Sequence, residues 1–325
     1  QNNLFTLCHL IYTDTFYMKR KWIRWVSWIL LTPIILFVIL MVLLYVPPVQ
    51  NLLRREVTAY ASKATGMQIQ VERIDLRFPL NLLVRGVEVI QQPDTLLSLE
   101  SLNVRVQAWP LIKGKVEVDE VTLSRVAVNS ADLMEGMNIK GVLGRFFLQS
   151  HGVDLSNELA VINQVELSDT HVQLLMNDTT TTPKDTTASA PINWKVALHQ
   201  LKLKNVSFSM QLPADSMRMA AHIGEAAIDD AQADLKNQYY DLKKFLLSGT
   251  SVSYDTGTAQ PAEGFDASHI AVRDIRIALD SLLYKGRDMN AVIREFTMNV
   301  RSGLSVTSLT GRAYSNDSVI SVPSL

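Results

Sequence analysis

From Val116 the chain reads Val116, Val118, Val121, Leu123, Val126, Val128, an apolar-x-apolar-x-x pattern that restarts every five residues. The same beat returns as Ile69, Val71, Ile74, Leu76, Phe78; as Leu97, Leu99, Leu102, Val104; as Ile162, Val165, Leu167; and as Val196, Leu198, Leu201, Leu203, Val206, Phe208. Weaker copies follow at Ile223, Ala226, Ile228, Ala231, at Tyr240, Leu242, Phe245, Leu247, at Phe265, Ile270, Val272, Ile275, Ile277 and at Ile293, Phe296, Met298. A half-buried strand alternates with period two. Here one residue is added at each step, which is what a β-bulge does: two residues oppose one, and the next side chain returns to the same face. The pattern predicts strands with one continuous apolar face. Because bulges bend and twist a strand, a sheet of them is expected to curve into a trough. The alternative is a pentapeptide-type solenoid of short strands and tight turns, but solenoids run their beat without the breaks seen here.

A chain of 325 residues with a net charge of −1 has room for one long or two ordinary domains and lacks the basic balance of a nucleic-acid binder. Its single cysteine, Cys8, precedes the expected folded region and supports neither a disulfide framework nor a thiolate metal site.

Val26 to Val46 is an uncharged apolar run of the length a tilted helix needs to cross a bilayer, with Val26, Leu30, Ile34, Phe37, Leu40 and Val46 along it. Lys19, Arg20, Lys21 and Arg24 precede it, and the nearest cations beyond it are Arg54 and Arg55. That asymmetry places the short N-terminus in the cytoplasm and the remainder across the membrane, as a single-pass protein. A cleavable signal peptide is the competing reading; the length of the run and the lack of a small-x-small site favour an uncleaved anchor. Residues 1–17 lack an initiator methionine, so Met18 is the expected start, with 1–17 as mistranslated upstream sequence and 18–25 as a cytoplasmic basic segment.

Val46-Pro47-Pro48-Val49 reads as a helix stop. After it, Val49, Leu52, Leu53, Val57, Tyr60, Ala61 and Ala64 recur at helical spacing and Gly66 supplies a C-terminal cap, which predicts an amphipathic helix over 47–66. From Met67 onward the reading is β. Residues 133–148 are expected to form a helix-like insert on Leu133, Met134, Met137, Val142, Leu143, Phe146 and Phe147, against the glycines at 136, 141 and 144. Thr179 to Pro191 is a low-complexity, flexible loop and Thr256 to Gly264 a second loop. Neither divides the 67–325 groove domain, since the beat continues on both sides. The beat stops in mid-pattern at Leu325, so a fragment of a longer protein is expected.

Catalytic signals are missing. The histidines at 9, 151, 171, 199, 222 and 269 show no ligand spacing, and His171, His199 and His222 fall at polar positions of the beat. Gly141-Val-Leu-Gly144 lacks the lysine and preceding strand of a phosphate loop. Asp119-Glu120 and Asp229-Asp230 occupy the two-residue gaps of the beat, where turn or bulge residues belong. Three glycosylation-type triplets, at Asn177, Asn205 and Asn316, carry little weight. The chain is read as a non-enzyme that needs no cofactor or metal.

Taken in order, the basic-flanked anchor, the Pro47-Pro48-Val49-Gln50 exit, the helix end from Tyr60 to Gly66 and the stretch Gln68 to Phe78 resemble the N-terminal part of the TamB family of AsmA-like proteins. Asp94 to Leu97, Pro110 to Gly114, Val116 to Leu123, Gly264 to Asp266 and Ser302 to Leu304 continue the resemblance, which covers residues 18–325. It implies an inner-membrane anchor carrying a long periplasmic β-groove that conducts phospholipids toward the outer membrane. The older assignment for the family is translocation and assembly of outer-membrane proteins with an outer-membrane barrel partner. The C-terminal domain that contacts that partner is lacking here.

The expected fold is therefore mainly β: a transmembrane helix, a short amphipathic helix and a long, curved, bulged β-sheet groove. A sheet with one apolar face and few helices must close, pack on a second sheet or leave that face for a ligand. Phospholipid acyl chains suit the last option. The expected lining is Ile69, Val71, Ile74, Leu76, Val116, Val118, Val121, Leu123, Leu198, Leu201 and Leu203. A structural or chaperone-like scaffold, offering its sheet edges to unfolded outer-membrane proteins, is the alternative.

Overall fold

A computed structural model describes residues 45–112, 117–130, 136–154, 157–177, 193–316 and 318–324, together with positions 32, 35, 39, 42 and 43. The chain divides into two compact units, 1–53 and 54–325. Of the anchor residues only Val46 is described; Val26, Leu30, Ile34, Phe37, Leu40 and the basic residues Lys19, Arg20, Lys21 and Arg24 lie outside the described residues, as do Val116 and the loop 179–191. Among the described residues no helix is long and apolar enough to cross a membrane.

The break expected at the prolines is present: Tyr45 and Val46 form a turn and bend, and helix α1 starts at Pro47 and runs to Thr65. Proline suits a first helical position, where its missing N–H costs no hydrogen bond. At the other end Gly66, at φ +71°, donates its N–H to Ser62 O at 3.0 Å, the left-handed cap that ends the helix.

The second unit is dominated by thirteen strands in one sheet: β1 Gln68–Arg77, β2 Asn81–Gln91, β3 Asp94–Val106, β4 Val118–Asn129, β5 Met137–Asp154, β6 Leu159–Met176, β7 Lys195–Leu212, β8 Met217–Asp234, β9 Tyr239–Asp255, β10 His269–Lys285, β11 Asp288–Val300, β12 Ser305–Ser315 and β13 Ile320–Ser324. A short helix, α2 (Ala108–Ile112), follows β3. Spatial order equals sequence order and β1 does not meet β13, so the sheet is curved and unclosed. Neighbours are antiparallel except β6 and β7, which run parallel from Leu159↔Lys195 to Leu175↔Gln211.

One expectation is corrected. Residues 137–148 are not helical but form most of β5. The three-residue step from Leu143 to Phe146 that resembled helical spacing is the extra residue of the beat, at Gly144, and Phe146 pairs with Leu123 on one side and Leu167 on the other. The glycines at 141 and 144 weaken a helix, and Gly144 lets neighbouring strands approach: a Cβ there would lie 2.7 Å from Asp169 Cβ. The beat is also misplaced at Phe265, which lies in the β9–β10 connection and is 79% exposed.

Candidate functional site

The bulges differ from those expected in one respect that shapes the whole sheet. An isolated bulge sets two residues against one and shifts the register. Here most neighbouring strands carry their extra residue at the same level, so the register is kept: β7 and β8 skip 199/230 and 205/224 while every flanking pair stays in step. Followed from strand to strand, the skipped positions form two transverse creases. One passes through Glu72, Gly86, Glu100, Arg125, Gly144, Asp169, Asn205 and Gly224 on β1 to β8 and continues to Gly249 and Asp274. The other passes through Asn163, His199, Asp230 and Lys243.

Asp, Asn and Gly recur where the extra residue of a crease is left-handed: φ is +59° at Gly86, +52° at Asp169, +53° at Asn205 and Asp230, and +54° at Asp274, and Arg125 takes the same geometry at +47°. Asp230 thus plays the bulge role expected of it. Asp119 lies at a register shift between β3 and β4. Polar side chains join across the creases. Asn205 Nδ2 donates to Asp169 Oδ1 at 2.8 Å, His199 Nδ1 lies 3.0 Å from Asp230 Oδ1, and Arg125 pairs with Glu100. His171 and His199 are exposed, whereas His222 is half-buried against Ser207.

Between the creases each strand places two apolar residues on one face. The first row runs Leu76, Leu82, Val104, Val121, Leu148, Val165, Leu201, Ile228, Phe245, Leu279, Ile293, each paired with the next. The second runs Ile74, Val84, Leu102, Leu123, Phe146, Leu167, Leu203, Ala226, Leu247, Ile277, Phe296, again without a gap. At about 4.8 Å per strand the stripe extends roughly 50 Å across eleven strands.

Six of the expected lining residues, Ile74, Leu76, Val121, Leu123, Leu201 and Leu203, fall in this stripe. Ile69 and Val71 continue the same face beyond one crease, and Val118 and Leu198 beyond the other. Sequence reasoning missed Leu82, Val84, Val87 and Val89 on β2, although they keep the beat, and missed Phe146 and Leu148 because they were assigned to a helix.

Among the described residues no second layer covers the face. Ile74 is buried, but the other expected lining residues that are described are only half-buried, and among the described residues no large side chain is fully buried. Cross-strand neighbours supply the burial there is. The chemistry the stripe can offer is that of a continuous apolar surface, bounded on both sides by polar side chains.

At one end of the strands the β9–β10 connection is pinned by Asp266. Its carboxylate accepts from the N–H groups of Ala262 at 3.0 Å and Ser268 at 2.9 Å and meets His269 Nδ1 at 2.8 Å; these bonds lower its pKa to about 2. Among the described residues no group of histidine, cysteine or carboxylate side chains is arranged to hold a metal ion. Compared with known protein families and with characterised proteins, the chain matches no family model and no characterised sequence.

Proposed function

We propose that the apolar stripe carries phospholipid acyl chains along the sheet, in a protein anchored to the inner membrane with its sheet in the periplasm, as the resemblance to TamB-like proteins implies. The observation that carries this reading is the continuity of the two rows: eleven strands contribute without a polar residue, on a face that no second layer covers among the described residues. Burying one methylene is worth about 0.8 kcal/mol, so an acyl chain against the stripe is held strongly in sum. No single pair of residues marks a preferred resting place, because adjacent strands repeat the same two-residue step. A bound chain can then slide from strand to strand, and no individual side chain carries the activity.

The test is a charge within the stripe. Val121→Asp and Leu201→Asp each place a carboxylate in an apolar row, where an acyl chain would have to desolvate it. Lipid transfer between donor and acceptor membranes is expected to stop in both variants while circular dichroism and protease resistance stay at the level of the parent protein. Transfer at the parent rate by a folded Leu201→Asp protein would refute the conduit.

A further inference from the structure

The amphipathic helix α1 is mounted with its polar side against the sheet. Arg54, Thr58 and Ser62 recur at four-residue spacing and are part-buried. Arg54 Nη1 donates to Val71 O at 3.3 Å and to Glu72 O at 2.7 Å, and Ser62 Oγ accepts the N–H of Ile69 at 3.0 Å. These contacts occupy outward-facing backbone groups of β1, the first edge strand. The apolar side of the helix consequently points away: Leu52 is 58%, Val57 46% and Tyr60 77% exposed. A helix that stabilised the sheet by apolar burial would be turned the other way, with its large apolar side chains removed from water.

The helix direction adds a second observation. Ser62 lies at the level of Ile69 and Arg54 at the level of Val71 and Glu72, so helix and strand are antiparallel and Arg54 is nearer than Ser62 to the rim at which β1 ends. On that rim the β1–β2 turn presents Phe78, 85% exposed. Trp109, on α2, is 70% exposed and belongs to the same rim, since Val106 N–H bonds to Leu80 O at 3.0 Å and closes the β1–β2 turn onto the end of β3. Exposed cations, Arg55 and Lys63 on the helix and Arg77 at the end of β1, flank these apolar groups.

We propose that α1 and the β1 edge of the sheet lie along a bilayer surface, with Tyr60, near the start of β1, and Phe78 and Trp109, at the rim where β1 ends, in the boundary between headgroups and acyl chains. The inference rests on the membrane-anchored reading above and specifies its membrane contact. Three features select a bilayer over other occupants. The uncharged run Val26–Val46 leads in sequence directly into α1. The exposed set is aromatic and aliphatic with cations beside it, the composition of interfacial helices that bind anionic headgroups. And the side of α1 turned away from the sheet it is bonded to is mainly apolar, with one exposed carboxylate, Glu56, between Leu52 and Tyr60.

The test uses the full chain with Cys8→Ser, labelled with an environment-sensitive fluorophore at Tyr60→Cys, Phe78→Cys or, on the opposite rim, Phe265→Cys, in vesicles of phosphatidylethanolamine and phosphatidylglycerol. Emission from positions 60 and 78 is expected to shift to the blue and to be quenched by brominated acyl chains, while position 265 keeps a water-like spectrum. Water-like spectra at 60 and 78, equal to that at 265, overturn the proposal. So does a blue shift at 60 in lipid-free detergent that grows with protein concentration, which identifies a second copy of the chain as the occupant. A fourth label at Leu201→Cys separates this inference from the conduit: quenching at 201 without quenching at 60 and 78 removes the surface contact alone, and the reverse pattern removes the conduit alone.

Discussion

At the residue scale the structure turns on the positions that interrupt each strand. Gly86 is a sharp case. It sits on the crease between β1 and β3 at φ +59°, and a Cβ there would lie 2.7 Å from Glu72 Cβ. Left-handed geometry and this close approach together exclude a side chain without movement of the strand. Gly86→Ala is therefore expected to lower stability by about 1–3 kcal/mol, read from denaturant unfolding followed by circular dichroism; a midpoint equal to that of the parent would show that the crease does not constrain this residue. The positions of the creases were partly legible beforehand. Asp230 lies in a two-residue gap of the beat and was expected to be a bulge residue. That the bulges of neighbouring strands line up was not legible, because the beat fixes spacing within a strand and says nothing of the register between strands.

At the element scale, two cases show how far periodicity reaches. The helix over 47–65 was readable from spacing, its proline start and its glycine cap, but its orientation was not. Spacing identifies an apolar side without saying what covers it, and the hydrogen bonds of Arg54 and Ser62 to β1 turn that side away from the sheet. β5 was misread because a crease places apolar residues three apart, at Leu143 and Phe146, which a helix also does. The helix contacts carry their own prediction. Ser62→Ala frees the Ile69 amide at the cost of one ordinary hydrogen bond, about 1 kcal/mol, so exchange of that amide is expected to quicken roughly fivefold. The amide of Val89, which faces Ile69 across the β1–β2 ladder, is expected to keep its rate. Equal rates at Ile69 in the parent and the variant would mean that the edge is protected by something other than the helix.

On the scale of the whole sheet, matched creases convert a local irregularity into a long-range feature. Register shifts do occur between β9 and β12, yet the rows continue through Phe245, Leu279 and Ile293 and through Leu247, Ile277 and Phe296. Through β1 to β8 the extra residues of one crease align, the register shifts there lie toward the strand ends, and the stripe stays two residues wide. The one parallel pair does not break it, since Ile162, Val165 and Leu167 on β6 meet Leu198, Leu201 and Leu203 on β7 side by side. The mainly β character and the single apolar face were legible from the beat alone. The continuity of the stripe required the register. Photo-crosslinking along one strand tests the central claim most directly, because β7 places Leu201 and Leu203 in the stripe and Lys202 between them on the opposite face. With a benzophenone side chain at each position in turn, the account predicts phospholipid adducts at 201 and 203 and none at 202. Equal labelling at all three, or none at 201 and 203, would contradict it.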